Sequence, residues 1–112
     1  MSDRPWKRHE RRSAGLIGGR RYPASQGGAV DVESSWAVGQ CKEVKRLSLA
    51  TLEALALEAE RQGHQRGKVG LVIVKRRGGV GRQTPTLVCM TAAMFQDMSG
   101  PLPGESQGAE TA

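Results

Sequence analysis

The chain has 112 residues and a formal charge of +6 at pH 7, which allows one domain with a modest core and no cavity deep enough to engulf a large cofactor. The stretch 99–112 has no Lys or Arg and holds Glu105 and Glu110, so residues 1–98 carry 17 basic against 9 acidic side chains. That surplus suits a polyanion lying across a shallow site. No apolar run approaches the roughly 18 residues needed to span a bilayer, and charges open the N-terminus where a secretory signal would place its apolar segment, so a soluble, cytoplasmic protein is expected.

From Asp3 to Ile17 apolar residues recur at helical spacing, with Trp6, Ala14 and Ile17 on one face. Ser2 or Asp3 is a suitable cap, Pro5 is tolerated in the first turn, and Gly18-Gly19 is the stop. The stretch from Arg20 to Ala29 reads as a flexible basic loop. Asp31 to Glu33 begins an extended segment. Trp36 to Lys42 then alternates, putting Trp36, Val38, Gln40 and Lys42 on one side and Ala37, Gly39 and Cys41 on the other. Ser48 is an N-cap for a second helix with Leu49, Leu52, Leu55, Ala56 and Ala59 as its stripe and Gly63 as its end.

Val69 to Val74 reads as a buried strand and Thr86 to Met90 as another. Arg76, Arg77, Gly78, Gly79, Gly81 and Arg82 form the basic, glycine-rich loop between them. Thr91 caps a short last helix carrying Ala92, Met94, Phe95 and Met98. Cys41 and Cys89 lack paired metal-ligand spacing and are expected to be reduced and structural. The predicted fold class is α/β, a single mixed sheet flanked by helices over residues 1–98. The tail 99–112 has too little apolar surface to order itself.

Asp31 follows a glycine-rich loop, starts a strand, and precedes Gln40 by nine residues and Lys42 by eleven. Strand alternation puts Gln40 and Lys42 on one face, and a hairpin between the two extended segments would bring Asp31 beside them. Cutting a phosphodiester requires a divalent cation, and hard cations such as Mg²⁺ or Mn²⁺ take oxygen ligands. Asp31 offers a carboxylate, Gln40 a side-chain carbonyl and Cys41 a backbone carbonyl. Lys42 is placed to polarise water or to stabilise charge on phosphorus. Glu10 falls on the apolar face of the first helix, where a carboxylate is costly without a partner, so it is read as an outer ligand or as half of an ion pair with a nearby Arg. The plainer alternative makes Gln40 and Lys42 the solvated face of an edge strand.

Together, the helix with Glu10, Gly-Gly-Arg-Arg at 18–21, the Ser-Gln-Gly-Gly loop before Asp31-Val32-Glu33, and Trp36-Ala37-Val38-Gly39-Gln40-Cys41-Lys42 resemble a known family. It is that of the phage and archaeal Holliday junction resolvases and related PD-(D/E)XK endonucleases, over about residues 5–98. The resemblance implies a restriction-endonuclease-like central mixed sheet flanked by helices. It also implies Mg²⁺ held by Asp31 and the acidic position of an E-x-K motif, a catalytic Lys42, and a homodimer acting on branched DNA in a bacterial or phage-infected cell. This chain departs from the pattern in having Gln40 where the family expects Glu, and Glu33, two residues from Asp31, is the candidate replacement.

Arg20, Arg21, Lys45, Arg76, Arg77 and Arg82 are the candidate DNA contacts, directed at phosphates rather than bases. The rival functions are a non-catalytic, structure-selective DNA-binding protein of the same fold and, third, a small RNA-binding protein. The last would use aromatic platforms, and the chain has only Trp6, Tyr22, Trp36 and Phe95. A homodimer is expected to bury the helix surface around Leu49 to Leu57.

Overall fold

Helix α1 (Pro5–Leu16) ends where Gly18 takes φ 70. The N–H groups of Gly18 and Gly19 donate to the carbonyls of Gly15 (3.1 Å) and Ala14 (2.8 Å), so the left-handed glycine closes the last turn upon itself. The computed structural model describes residues 5–22, 30–79 and 81–99. The caps expected at Ser2 or Asp3, most of the loop before Asp31 and the tail from residue 100 lie outside them. Arg20–Arg21, expected in a loop, instead form a short strand, β1, paired antiparallel with β2 (Val32–Glu33). Strand β2 in turn pairs antiparallel with β3 (Ala37–Val44).

Helix α2 (Leu49–Arg66) carries the chain over the sheet so that β4 (Val69–Arg76) returns parallel to β3 along its whole length. Ser48 caps α2 by accepting from Thr51 N–H at 3.1 Å. Strand β5 (Thr86–Cys89) adds antiparallel to β4, and α3 (Ala92–Ser99) follows, capped by Thr91 accepting from Met94 N–H at 3.1 Å. The result is a five-stranded mixed sheet in the order β1-β2-β3-β4-β5, a single-sheet α/β architecture. No helix among the described residues is long and apolar enough to cross a membrane.

Two small cores fix the layers. Ala14 of α1 and Ile17 just beyond its end pack on Val32, Ala37, Leu71 and Ile73. On the other face Ala56 and Ala59 of α2 pack on Val72 and Val74. Helix α1 buries His9, Ser13 and Ala14, and Ile17 follows them beneath its end, whereas Trp6, expected on that face, is 42% exposed. His9 is tolerated there because its Nε2 bonds the Ile73 carbonyl at 3.0 Å. Trp36 also leaves its expected face. It precedes β3 and its indole N–H donates to the carbonyl of Ile17 at 2.9 Å, tying the end of α1 to the start of the strand.

Gly63 does not end α2. A Cβ there would stand 2.5 Å from the Lys68 carbonyl oxygen and 2.7 Å from Gly70 N, so this glycine lets the helix lie against β4. The stop is Gly67 at φ 65, with Lys68 N–H donating to the Gly63 carbonyl at 2.8 Å. Gly70 is the facing half of the contact, since its Cβ would overlap the Ala59 carbonyl. Gly70→Ala should therefore push α2 off the sheet and cost about 1–3 kcal/mol, read as a lower urea midpoint. The same change at exposed Gly79, where a Cβ meets nothing, should leave the midpoint close to wild type.

Candidate functional site

Pairing of β2 with β3 stops at Val32 opposite Gly39. Asp31 N–H donates to the Gly39 carbonyl at 2.9 Å, although Gly39 is already matched with Val32, so the chain is one residue out of step as in a bulge. The Asp31 carboxylate then accepts from Cys41 N–H at 2.8 Å through Oδ2. A side chain thus takes the place that a further strand residue would have filled. In an antiparallel ladder a residue's N–H and C=O point the same way, so the Cys41 carbonyl turns toward the Asp31 side as well. From Cys41 onward, β3 has β4 along one side and no strand on the other among the described residues.

Residues registered across parallel β3 and β4 share a sheet face. Gln40 is matched with Val72 and Lys42 with Val74, both in the core beneath α2. Cys41 is matched with Ile73 and packs on the core beneath α1. The sheet therefore separates Gln40 and Lys42 from the α1 side, where Glu10 lies. Asp31 lies at the open edge itself, its carboxylate bonded to Cys41 N–H. The side-chain carbonyl oxygen of Gln40 is buried and has no hydrogen-bond partner among the described residues. Leaving such a group unpaired costs about 1–3 kcal/mol, which makes it an acceptor awaiting a cation or a donor.

Glu10 is engaged: Arg21 Nε donates to its carboxylate at 3.1 Å, between two largely shielded side chains. This satisfies the carboxylate that helical spacing places on an apolar face, and gives Arg21 a role other than phosphate contact. The Cys41 thiol feels both the Glu10 and the Asp31 carboxylates. Burial pushes it up to about 12, the Asp31 and Glu10 carboxylates add to the rise, and the Ser13 hydroxyl and the Arg21 guanidinium oppose it.

Glu33 stands apart from this group. Its carboxylate meets Lys68 Nζ at 2.5 Å and Arg66 at 3.4 Å and accepts from the Tyr22 hydroxyl. Burial works against its ionisation, but the hydrogen bonds from Lys68 and Tyr22 and the charges of Lys68 and Arg66 outweigh it and hold the carboxyl below its ordinary range. Glu33 and Lys68 line a cleft of about 580 Å³ with Gly18, Arg20 and Tyr22, near the start of β3.

The expected DNA contacts divide between the two ends of the sheet. Arg20 borders the Glu33 cleft, while Lys45 and Arg76 border an apolar groove of about 300 Å³ at the C-terminal ends of β3 and β4. Arg77 ties those ends together, its N–H donating to the Val44 carbonyl at 2.8 Å and its guanidinium to the Glu43 carbonyl at 3.3 Å. Arg82 is exposed in the following turn.

Sequence reasoning missed His9, Ser13 and Lys68. His9, Ser13 and Ile17 do recur at steps of four, the signal of a buried stripe, but their polar types conceal it. Nothing local marks Lys68, which meets Glu33 only through the fold. Comparison with protein-family models, curated proteins and solved structures finds no match. Among the described residues no group of three or more His, Cys, Asp or Glu side chains could hold a metal ion by themselves, so any cation here would draw on Gln40 and backbone oxygens.

The shifted thiol gives stability a pH dependence. Above 9.0, the ordinary value, the unfolded chain loses the Cys41 proton while the folded chain keeps it until about 12. The folded state then binds more protons, and stability falls as pH rises through that window, by up to about 1.4 kcal/mol per pH unit. Urea titrations between pH 8.5 and 11.5 should show a shallower decline for Cys41→Ala than for wild type. Parallel slopes would mean that the thiol is not protected.

Proposed function

We propose that the chain is a metal-dependent endonuclease that hydrolyses phosphodiester bonds in DNA, with branched, junction-like DNA as its substrate and a homodimer as its working form. The observation that carries this reading is the open edge of β3. There Asp31 caps the strand at Cys41, the preceding residue Gln40 holds a buried, unpartnered side-chain carbonyl, and Lys42 is the residue after Cys41. The order of a helix, three antiparallel strands, a crossover helix and a parallel strand fits a restriction-endonuclease-like core. Exposed Leu49 and Leu57 on α2 offer apolar surface for a partner.

The donor set fits a hard cation. Asp31 Oδ1, Gln40 Oε1 and the Cys41 carbonyl are all oxygens, the choice of Mg²⁺ or Mn²⁺. When bound, such an ion neutralises phosphate charge and lowers the pKa of water. The protein's own part is positional. The hydrogen bond from Cys41 N–H fixes the Asp31 carboxylate, Lys42 supplies a positive charge for the phosphorane-like transition state, and Arg21 holds Glu10 above the edge. Glu33, neutralised by Lys68 and Arg66, serves structure rather than metal binding.

Gln40 itself favours a second reading, a DNA-binding protein of the same architecture without catalysis, because a neutral amide holds a cation more weakly than a carboxylate. A cleavage panel of labelled four-way, flap, nicked and linear DNAs with Mg²⁺ or Mn²⁺ separates the two. Asp31→Asn and Lys42→Ala should lower cleavage by on the order of a hundredfold or more and leave DNA binding nearly intact. Gln40→Glu should preserve or raise activity and tighten the cation. Activity present only in Gln40→Glu would establish the non-catalytic reading for the wild type, and no cleavage by either protein on any substrate would overturn the nuclease assignment.

A further inference from the structure

On the α1 face, beyond Cys41, a cleft of about 230 Å³ is lined by Arg8, His9, Arg12, Glu43 and Lys75. Its floor comes from two registered strand neighbours, Glu43 of β3 and Lys75 of β4. Its wall is one helical face of α1. Arg8 and Arg12 are four residues apart, so they share that face, and like charges so placed repel. Both are exposed, and neither has an ion-pair or hydrogen-bond partner among the described residues. Lys75 Nζ donates to the Thr84 carbonyl at 2.6 Å and to its hydroxyl at 3.0 Å, both neutral, so its charge is uncompensated there. His9 is fixed by its bond to the Ile73 carbonyl. The only carboxylate is that of Glu43, and one of its oxygens is buried without a partner.

We propose that this cleft binds a backbone phosphate of the DNA strand that passes the open edge of β3, an inference that rests on the DNA reading above. Three cations face one carboxylate in a concave site, an imbalance that a phosphate dianion or diester corrects. Position supports the same ligand. Glu43 lies two residues beyond Cys41 on the same sheet face, about 7 Å at strand rise, which corresponds to about two nucleotides of rise along one strand. A strand whose phosphate meets Asp31 at the edge would then present the phosphate about two nucleotides on to Arg8, Arg12 and Lys75. Arg76 and Arg77 continue the cationic surface around the same strand ends.

Glu43 gives the proposal a sign that a general loss of basic charge does not share. Its carboxylate repels the bound phosphate, so Glu43→Gln should tighten DNA several-fold, whereas Arg8→Gln/Arg12→Gln should weaken it. The test measures affinity of the full chain for a four-way DNA junction and for an RNA duplex across 50–300 mM salt. Arg61→Gln, on the exposed face of α2 beside Glu58, is the control for loss of a positive charge away from the cleft.

The double variant should reduce the slope of log affinity against log salt by about 0.9 for each phosphate it no longer neutralises, with the control at the wild-type slope. A steep wild-type slope that the double variant leaves unchanged, or a Glu43→Gln protein no tighter than wild type, would overturn the cleft and leave the DNA reading standing. A change confined to RNA would also overturn it. A wild-type chain that binds no DNA would overturn both.

Discussion

The bond from Cys41 N–H to the Asp31 carboxylate is the constraint around which the open side of the sheet is arranged. Strand β3 is a central strand for its first half, flanked by β2 and β4, and an edge strand for its second half. Such a transition leaves N–H and C=O groups without partners, and they must be satisfied by something other than a strand. An aspartate displaced by a one-residue slip satisfies the first of them and remains close to the next side chains along β3. Without that slip the hairpin would continue past Gly39, and Gln40 to Glu43 would be covered by backbone. The same local irregularity therefore ends the pairing and leaves Cys41 bonded to a side chain instead of a strand.

The two ends of the sheet handle charge in opposite ways. Near the start of β3 the ions are matched: Glu33 is surrounded by Lys68, Arg66 and Tyr22, and Glu10 accepts from Arg21. These pairs join β2 to the end of α2 and α1 to β1, so their effect is to fix elements that share little apolar contact. Near the ends of β3 and β4 the cations outnumber the carboxylates, with Lys75, Arg76 and Arg77 on the strands and their extension and Arg8 and Arg12 on α1. A small basic domain gains specificity from such an uneven distribution, because matched pairs set the fold and unmatched charges set the direction from which a polyanion approaches.

Much of the architecture was legible because it follows from periodicity. The β-branched run of Val69 to Val74, the caps at Ser48 and Thr91 and the hairpin before Gln40 each rest on local geometry that a sequence displays. The misplacements share a cause. Gly63 has the residue type of a helix stop, but it is buried against β4, and only the packing of α2 on Gly70 distinguishes it from Gly67. Trp6 and Trp36 look like core by type, whereas His9 and Ser13 occupy the buried stripe, His9 because a backbone carbonyl of the sheet bonds its ring. For the candidate site, alternation correctly places Gln40 and Lys42 on one face, but it carries no information on which helix covers that face.

Which helix covers each face decides how a cation could be held. Glu10 and the Cys41 thiol lie beneath α1, Gln40 and Lys42 beneath α2, and the sheet intervenes. Side chains on opposite faces of a continuous sheet cannot converge on one ion, since backbone fills the space between them. They can do so only around an edge. The edge that β3 presents from Cys41 onward, with Asp31 bonded to it, is the place where groups from both faces would have to meet a backbone carbonyl. Function at this site thus depends less on any single acidic residue than on the sheet being incomplete at that point.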